Sequence, residues 1–495
     1  MTNNRQVTVY GVVATAITAA IAVSLLRGVW LDEGYTSWFT GHDVGFARAL
    51  HDRWMRDAHP PLYYAWVWLW RPVAGDAIST LRLVNLGALL LPALTWWAAC
   101  SVPEKDARFH RLFAMLVVSS PFFVLYAAEL RSYFLMYIWA AALVAQTKLL
   151  LEAGDTPPAR LIAVTVGTAL LLFNVHYLGG LIAGVVLALL VLDGVIRRRW
   201  RVAVWLVATG VTGVVTVAGT AAYYLAHAAP GTGHDIDMAS AIKAIAGFLA
   251  LAIVAAPVAM VVALRAALPP GAAVWRERFV VGAVAATMLL LVGFLAYNLA
   301  QHNLLARYVI GLVPVVLGVI AAFAARGCER WRWGETAIAV AALVGILASA
   351  AYGLWNRRWE TNAPAIARIV SDCPTTRVLA ISAIPFMQAS SPVLGIPGVR
   401  DAFRLTYRSA AARYGFTPEV IEKTDGRRTM RAACPTILWV EHRFFAPMYD
   451  DRTIIQAAGL TSPVGIKQRV EGKGRLLLVL GSANDGAGRS GGPRR

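Results

Sequence analysis

Apolar runs of bilayer-crossing length recur along the first 355 residues and leave little choice of fold class. A helix rising 1.5 Å per residue needs about 20 apolar residues to cross a hydrocarbon core of about 30 Å. Such runs lie at about 7–27, 79–100, 112–128, 132–151, 161–175, 178–195, 203–225, 241–264, 279–300, 308–325 and 335–355. In lipid each segment must satisfy its own backbone polar groups, so the runs are read as helices. The expected fold is an all-α polytopic membrane protein of about 11 transmembrane helices. With 58% hydrophobic and only 15% charged residues, the 495-residue chain lies outside the mix of a soluble globular domain. The first run continues past the cleavage-site-like Ala20-Ile21-Ala22 and is expected to remain as an uncleaved span.

The net charge of +18 invites a nucleic-acid partner. No basic stripe is interleaved with aromatics outside the apolar runs, however, and that partner is excluded. The cations sit instead in short clusters between runs: Lys105, Arg108 and Arg111; Arg160; Arg197–Arg199 with Arg201; Arg265, Arg276 and Arg278; Arg326, Arg330 and Arg332. By the positive-inside rule these loops are cytoplasmic. The alternate loops hold Asp32, Glu33, His59, Glu129, Arg131, His176, His234, Asp235 and Arg307, all then on the extracytoplasmic side. This parity requires the short aromatic run Leu62–Trp70 to be an interfacial or re-entrant helix of the first external loop, about 28–78. Counted as a span, it would turn Arg197–Arg201 outward against the charge rule.

After Trp355 the composition changes. Residues 356–481 read as a small soluble α/β domain, with strands at RVLAIS, TILWVEH and RLLLVLG and helices at APAIARIVSD and DRTIIQAAGL. Residues 482–495 are Gly-rich and basic and are expected to be disordered. A cytoplasmic N-terminus and an odd span count put this domain outside the plasma membrane. There Cys373 and Cys434, each followed by Pro and a short strand, are expected to be joined, the alternative being two buried thiols. The chain has no CxxC or His/Cys metal spacing.

Four motifs carry the chemistry. WLDEGYTSWF follows the first run and sets Asp32 beside Glu33. HPPLYY contains His59, Tyr63 and Tyr64; YAAELRSYFL contains Glu129 and Arg131; LLARYVIGLVPVV contains Arg307 and Tyr308. Ionisable groups near bilayer depth are costly and tend to face a cavity that handles substrate, ion or proton. Together, in order and spacing, the four motifs resemble the polytopic GT-C glycosyltransferases of the protein O-mannosyltransferase and aminoarabinose transferase type, over about residues 1–355.

The resemblance implies transfer of a sugar from a polyprenyl-phosphate carrier to a lipid, glycan or protein acceptor on the outer face, with inversion. Asp32 matches the family's catalytic Asp and is the expected base. Glu33, on the next position, orients the acceptor or holds a neighbouring cation. A phosphate leaving group needs no strong acid, so one carboxylate suffices. Charge building on that phosphate calls for aimed cations: Arg307 first, Arg131 second unless Glu129 neutralises it. His59 contacts phosphate, orients Asp32 or simply packs before the rigid Pro60-Pro61 turn. Tyr35, Tyr63, Glu129, His176 and Tyr308 are further candidates for substrate contact. No obligatory metal is expected, although Asp32, Glu33, Glu129 and His59 are donors that a divalent ion accepts. The alternative from another class is a transporter or flippase of lipid-linked or polar substrates. It would place its polar groups at the bilayer midplane in matching repeats, and no internal repeat is present.

The charge pattern predicts that a reporter fused after Arg201 behaves as cytoplasmic and one fused within the C-terminal domain as external. An external signal at Arg201 overturns the assignment of sides.

Overall fold

The computed structural model describes residues 2–57, 59–102, 106–227, 236–254, 259, 261, 277–302, 304–331, 333–382, 398–421, 428, 433–441, 450–460, 464–472 and 475–482. The chain divides into two compact units. One comprises Met1–Leu26, His42–Ala228 and Gly233–Trp355; the other Arg27–Gly41, Ala229–Thr232 and Asn356–Arg495.

The first unit is helical. Among the described residues eight helices are long and apolar enough to cross a membrane, or nine if the bent pair Ala107–Ser119 and Pro121–Ala127 is one span. The expected count of about 11 is therefore not reached on length. The two other expected spans fall on shorter apolar helices, Ala159–Val175 and Met238–Leu251, the latter adjoining residues outside the described set. Leu62–Ala74 is a 13-residue helix, too short to cross. Two helices are apolar on every side and lie at the centre: Tyr133–Glu152 and Ala306–Arg330, each with 83% of its apolar window buried. Trp200–His227 instead exposes Val204, Trp205, Val211, Val214 and Val215, as a lipid-facing helix does.

The helices break where the chemistry-bearing loops begin, and each break has a local cause. Asp106 opens Ala107–Ser119 by accepting from the Arg108 and Phe109 amides at 3.1 and 3.0 Å. Pro121 ends it with a 53° bend, because proline has no N–H to give the Val117 carbonyl four residues earlier. The Tyr137 hydroxyl donates to that carbonyl at 2.8 Å in its place. The buried turn that follows is held by Asn85. Its amide donates to the carbonyls of Ala127 and Glu129 at 3.1 and 2.7 Å, while its oxygen accepts from the Tyr63 hydroxyl at 3.0 Å. Asn298 does the same at the far end of Arg278–Gln301, accepting from the Leu304 amide at 2.9 Å and donating to the Ile236 carbonyl at 3.0 Å. His302 closes that helix in a left-handed conformation.

At the opposite end of the central helix, about 20 residues or 30 Å from Tyr133, the cations of the basic loops meet acids. Lys148 pairs with Glu277 and Glu152, His110 with Glu152, Arg108 and Arg111 with Glu335, and Arg278 with Asp193.

The second unit contains a five-stranded sheet in the order β2-β1-β3-β5-β4: β1 Arg377–Ile381, β2 Glu419–Ile421, β3 Thr436–Val440, β4 Val464–Gly472 and β5 Arg475–Ser482. β1 pairs in parallel with β2 and β3, and β5 runs antiparallel to β3 and β4. The central β3 is buried throughout, which explains its unbroken apolar run. Leu379, Ile381, Leu438, Val440, Leu476, Leu478 and Leu480 share one core with Ile454 and Leu460. Cys373 and Cys434 are joined by a disulfide with Cα atoms 5.8 Å apart. The tail beyond Ser482 lies outside the described residues.

One boundary moved. The stretch Arg27–Gly41, expected as the start of the first external loop of a 1–355 membrane domain, packs into the second unit. Its helix Leu31–Phe39 lies on helix Val399–Ala412. A β-carbon at Gly34 would overlap the Ala402 carbonyl and Thr406 Oγ1, so only glycine permits the approach.

Replacing Tyr137 with Phe leaves the Val117 carbonyl unpaired and should lower stability by about 1–2 kcal/mol in thermal melts of detergent-extracted protein. Adding Pro121→Ala, which restores the missing N–H, should recover most of that loss. An undiminished Tyr137→Phe protein would sink this account of the bend.

Candidate functional site

In the first unit, residues from four separate loops converge at the Tyr133 end of the central helix. His59 follows Asp57 on the way into helix Leu62–Ala74, and its Nδ1 lies 2.8 Å from an Asp57 carboxylate oxygen. The Tyr64 hydroxyl donates to the same oxygen at 2.6 Å. His176 stands in extended conformation between helices Ala159–Val175 and Tyr177–Ile196 and caps the second through its Nδ1, which accepts from the Leu178 amide at 3.2 Å. Its ring proton is therefore on Nε2, a buried nitrogen with no hydrogen-bond partner among the described residues.

Aromatic rings wall this centre. The His59 and His176 rings are 5.1 Å apart, His176 and Tyr308 5.4 Å, and Tyr133 and His176 5.8 Å. The Arg307 guanidinium lies over the Tyr133 ring at 5.6 Å, an arrangement that orients a planar cation. Arg131, at the end of the Asn85-clamped turn, is 9% exposed. It acts electrostatically on Asp57, His59 and His176, and Arg307 acts on both histidines. Two arginines and two imidazoles thus share one largely buried space with the Asp57 carboxylate.

Asp57 and His59 shift in the same direction for different reasons. Burial pushes the Asp57 carboxyl up, but the His59 and Arg131 charges and the Tyr64 hydroxyl outweigh it and hold the group at about 2. Burial and Arg131 push His59 below the usual imidazole range, against the pull of Asp57. Asp57 is a carboxylate at neutral pH, and it fixes the His59 proton on Nδ1.

The other sequence candidates take varied places. Tyr63 is 2% exposed with its hydroxyl given to Asn85, so Tyr64 and not Tyr63 serves this centre. Glu129 is buried, and its carbonyl accepts from Asn85. His234 and Asp235 lie outside the described residues. Asp57, Tyr64 and Tyr133 were not singled out from the sequence. The signal for Asp57 was present as a carboxylate two positions before the histidine of His59-Pro60-Pro61. Among the described residues no three His, Cys, Asp or Glu side chains form a metal-binding group.

In the second unit, Asp32 and Glu33 open the helix Leu31–Phe39. Glu33 is fully buried; its Oε2 accepts from the Trp30 amide at 3.2 Å and lies 3.6 Å from Arg358 Nη1. Successive helical residues are turned by about 100°, so Asp32 points elsewhere and is half-buried, as is Tyr35.

The apolar helices of the first unit and the small sheet of the second define the fold of a polytopic membrane protein. Two solved structures with the same fold are crystal structures of ArnT from Cupriavidus metallidurans. The apo form aligns at a TM-score of 0.55 and 14% identity, and the form bound to undecaprenyl phosphate at 0.53 and 12%. Each alignment covers 98% of this chain and 99% of ArnT. Compared by sequence, the chain matches no family model and no curated protein.

Asp57→Asn removes the carboxylate that balances the buried cations and should destabilise the protein at neutral pH by about 2 kcal/mol, from a carboxyl lowered by nearly two pH units. A carboxyl depressed in the folded state adds stability above its unfolded value of 3.8. The gap between wild type and Asp57→Asn should therefore be full above about pH 5 and close as pH falls through about 2. A gap independent of pH would show that Asp57 does not act through its charge.

Proposed function

We propose that the protein is a membrane glycosyltransferase that moves a sugar from a polyprenyl-phosphate-linked donor to an acceptor on the extracytoplasmic face. The observation that carries this reading is the convergence of Arg131, Arg307, His59 and His176 with Asp57 on one buried, aromatic-walled centre. Guanidinium and imidazole N–H groups suit phosphate oxygens, and the ring faces suit a prenyl chain or sugar. The fold is shared with ArnT, a structure of which holds undecaprenyl phosphate.

In the proposed reaction the acceptor hydroxyl oxygen attacks the anomeric carbon while Asp32 takes its proton. The bond from that carbon to the phosphate oxygen breaks, and the phosphate leaves with the electron pair. Attack opposite the leaving group inverts the anomeric configuration. Arg307 and Arg131 stabilise the charge that grows on the phosphate; fixed donors of this kind contribute most where water is excluded. The neutral His176 adds an Nε2–H donor. His59, neutral with its Nδ1 proton given to Asp57, donates no proton in this step; the acceptor's proton ends on Asp32.

The test uses purified full-length protein with undecaprenyl-phosphate-linked aminoarabinose and mannose as donors, reading released undecaprenyl phosphate. Asp32→Asn should lower turnover by about two to four decades, the range for losing a general base, with undecaprenyl phosphate binding retained. Arg307→Ala should weaken both binding and turnover. Near-normal transfer by Asp32→Asn would remove Asp32 as the base. Failure of wild type to bind undecaprenyl phosphate would remove the donor class.

A further inference from the structure

The helix that carries Asp32 is built as a part of the C-terminal unit, and the contacts that fix it are unusually complete. Upstream, the Val29 amide donates to Glu360 Oε1 at 3.1 Å and the Val29 carbonyl accepts from the Trp359 amide at 3.1 Å. Arg413 spans the Arg27 carbonyl at 3.3 Å and Glu360 at 3.1 Å, and the Tyr414 hydroxyl also donates to Glu360. Gly28 has no room for a β-carbon against the Arg357 carbonyl. Downstream, Gly34 sits directly on helix Val399–Ala412.

Between these two anchors, the first turn is gripped by one side chain. The Arg358 guanidinium lies over the Trp30 ring at 4.8 Å and reaches the fully buried Glu33 carboxylate at 3.6 Å. Glu33 closes the turn on the Trp30 amide. Arg358 itself has φ +50°, the left-handed region that non-glycine residues seldom occupy. An arginine is held there at a cost of about 1–2 kcal/mol, and its guanidinium contacts are what the position gains. With Glu33 locked on one side of the turn, the direction of the neighbouring Asp32 is set by geometry alone.

We propose that the C-terminal domain is the carrier of the base, and that Arg358 is its positioning residue: it fixes the turn from which Asp32 projects without itself touching substrate. The inference rests on the reading of Asp32 as the base. It assigns the soluble domain a part in catalysis, distinct from the phosphate centre of the other unit. A misplacement of the base affects the chemical step, whereas donor binding depends on Arg131 and Arg307.

The experiment compares Arg358→Ala, Arg358→Lys and Glu33→Gln in the full-length protein with the same two donors. Arg358→Ala should lower kcat by about 10- to 100-fold, the loss expected for a displacement near 1 Å, with donor KM and undecaprenyl phosphate binding within about twofold of wild type. Arg358→Lys, which keeps the charge but loses the planar stack on Trp30, should fall between. Millimolar guanidinium should restore part of the activity of Arg358→Ala and none of that of Asp32→Asn. Combining Arg358→Ala with Glu33→Gln should cost little beyond either alone, because both break one contact. Wild-type kcat in Arg358→Ala, with Asp32→Asn inactive, overturns this inference and leaves the function standing. So does a parallel loss of kcat, undecaprenyl phosphate binding and melting temperature in both Arg358 variants, the pattern of a merely structural residue. Retained transfer in Asp32→Asn overturns the base and this inference together.

Discussion

A helix that stops inside a membrane leaves carbonyls and amides that lipid cannot satisfy, and the first unit is arranged around meeting that demand. Each break has a dedicated polar side chain: Tyr137 for the carbonyl that Pro121 abandons, Asn85 for the turn after Ala127, Asn298 for the end of Arg278–Gln301 and His176 for the start of Tyr177–Ile196. Without these substitutes the breaks would be too costly to hold, since each unsatisfied group is worth several kcal/mol in hydrocarbon. With them, irregular backbone becomes available at the ends of the central helices. Arg131 and Arg307 stand on that backbone.

The same economy governs charge. At one end of the central helix Lys148, Arg108, Arg111 and Arg278 all meet acids, Lys148 between Glu152 and Glu277 and the first two arginines sharing Glu335. At the other, the Asp57 carboxylate faces His59 and Arg131, and Arg307 acts on His59. Aromatic faces hold cations there as well, with the Arg307 guanidinium over the Tyr133 ring.

Much of this was legible in the residues. The apolar runs located the helices to within a few positions, because twenty consecutive apolar residues have one solution in lipid. The loop cations and the four motifs picked out His59, Arg131, His176 and Arg307, which do meet. What pattern alone could not show was the division of labour among neighbours. Tyr63 and Tyr64 read alike, yet helical geometry turns one toward Asn85 and the other toward Asp57. β4 was missed because its polar residues Lys467, Gln468 and Arg469 run consecutively, where the register shifts, and it lies at the edge of the sheet and not in its core. The placement of Arg27–Gly41 was illegible for a different reason. Nothing local marks Gly34 as a contact for Ala402 and Thr406, on a helix far later in the chain.

That long-range pairing has a consequence for how the protein is made. Val29 emerges from the ribosome early, yet its partner Glu360 lies 331 residues further on. At synthesis rates of about 5–20 residues per second, the helix of Asp32 waits roughly 15–65 s for the strands and helices that complete its unit. Until then the first membrane helix is tethered to an unfinished module. The carboxylate-bearing turn acquires its supports only when Glu360, Ala402 and Arg413 have been made, so a chain that ends before them has no assembled Asp32 turn.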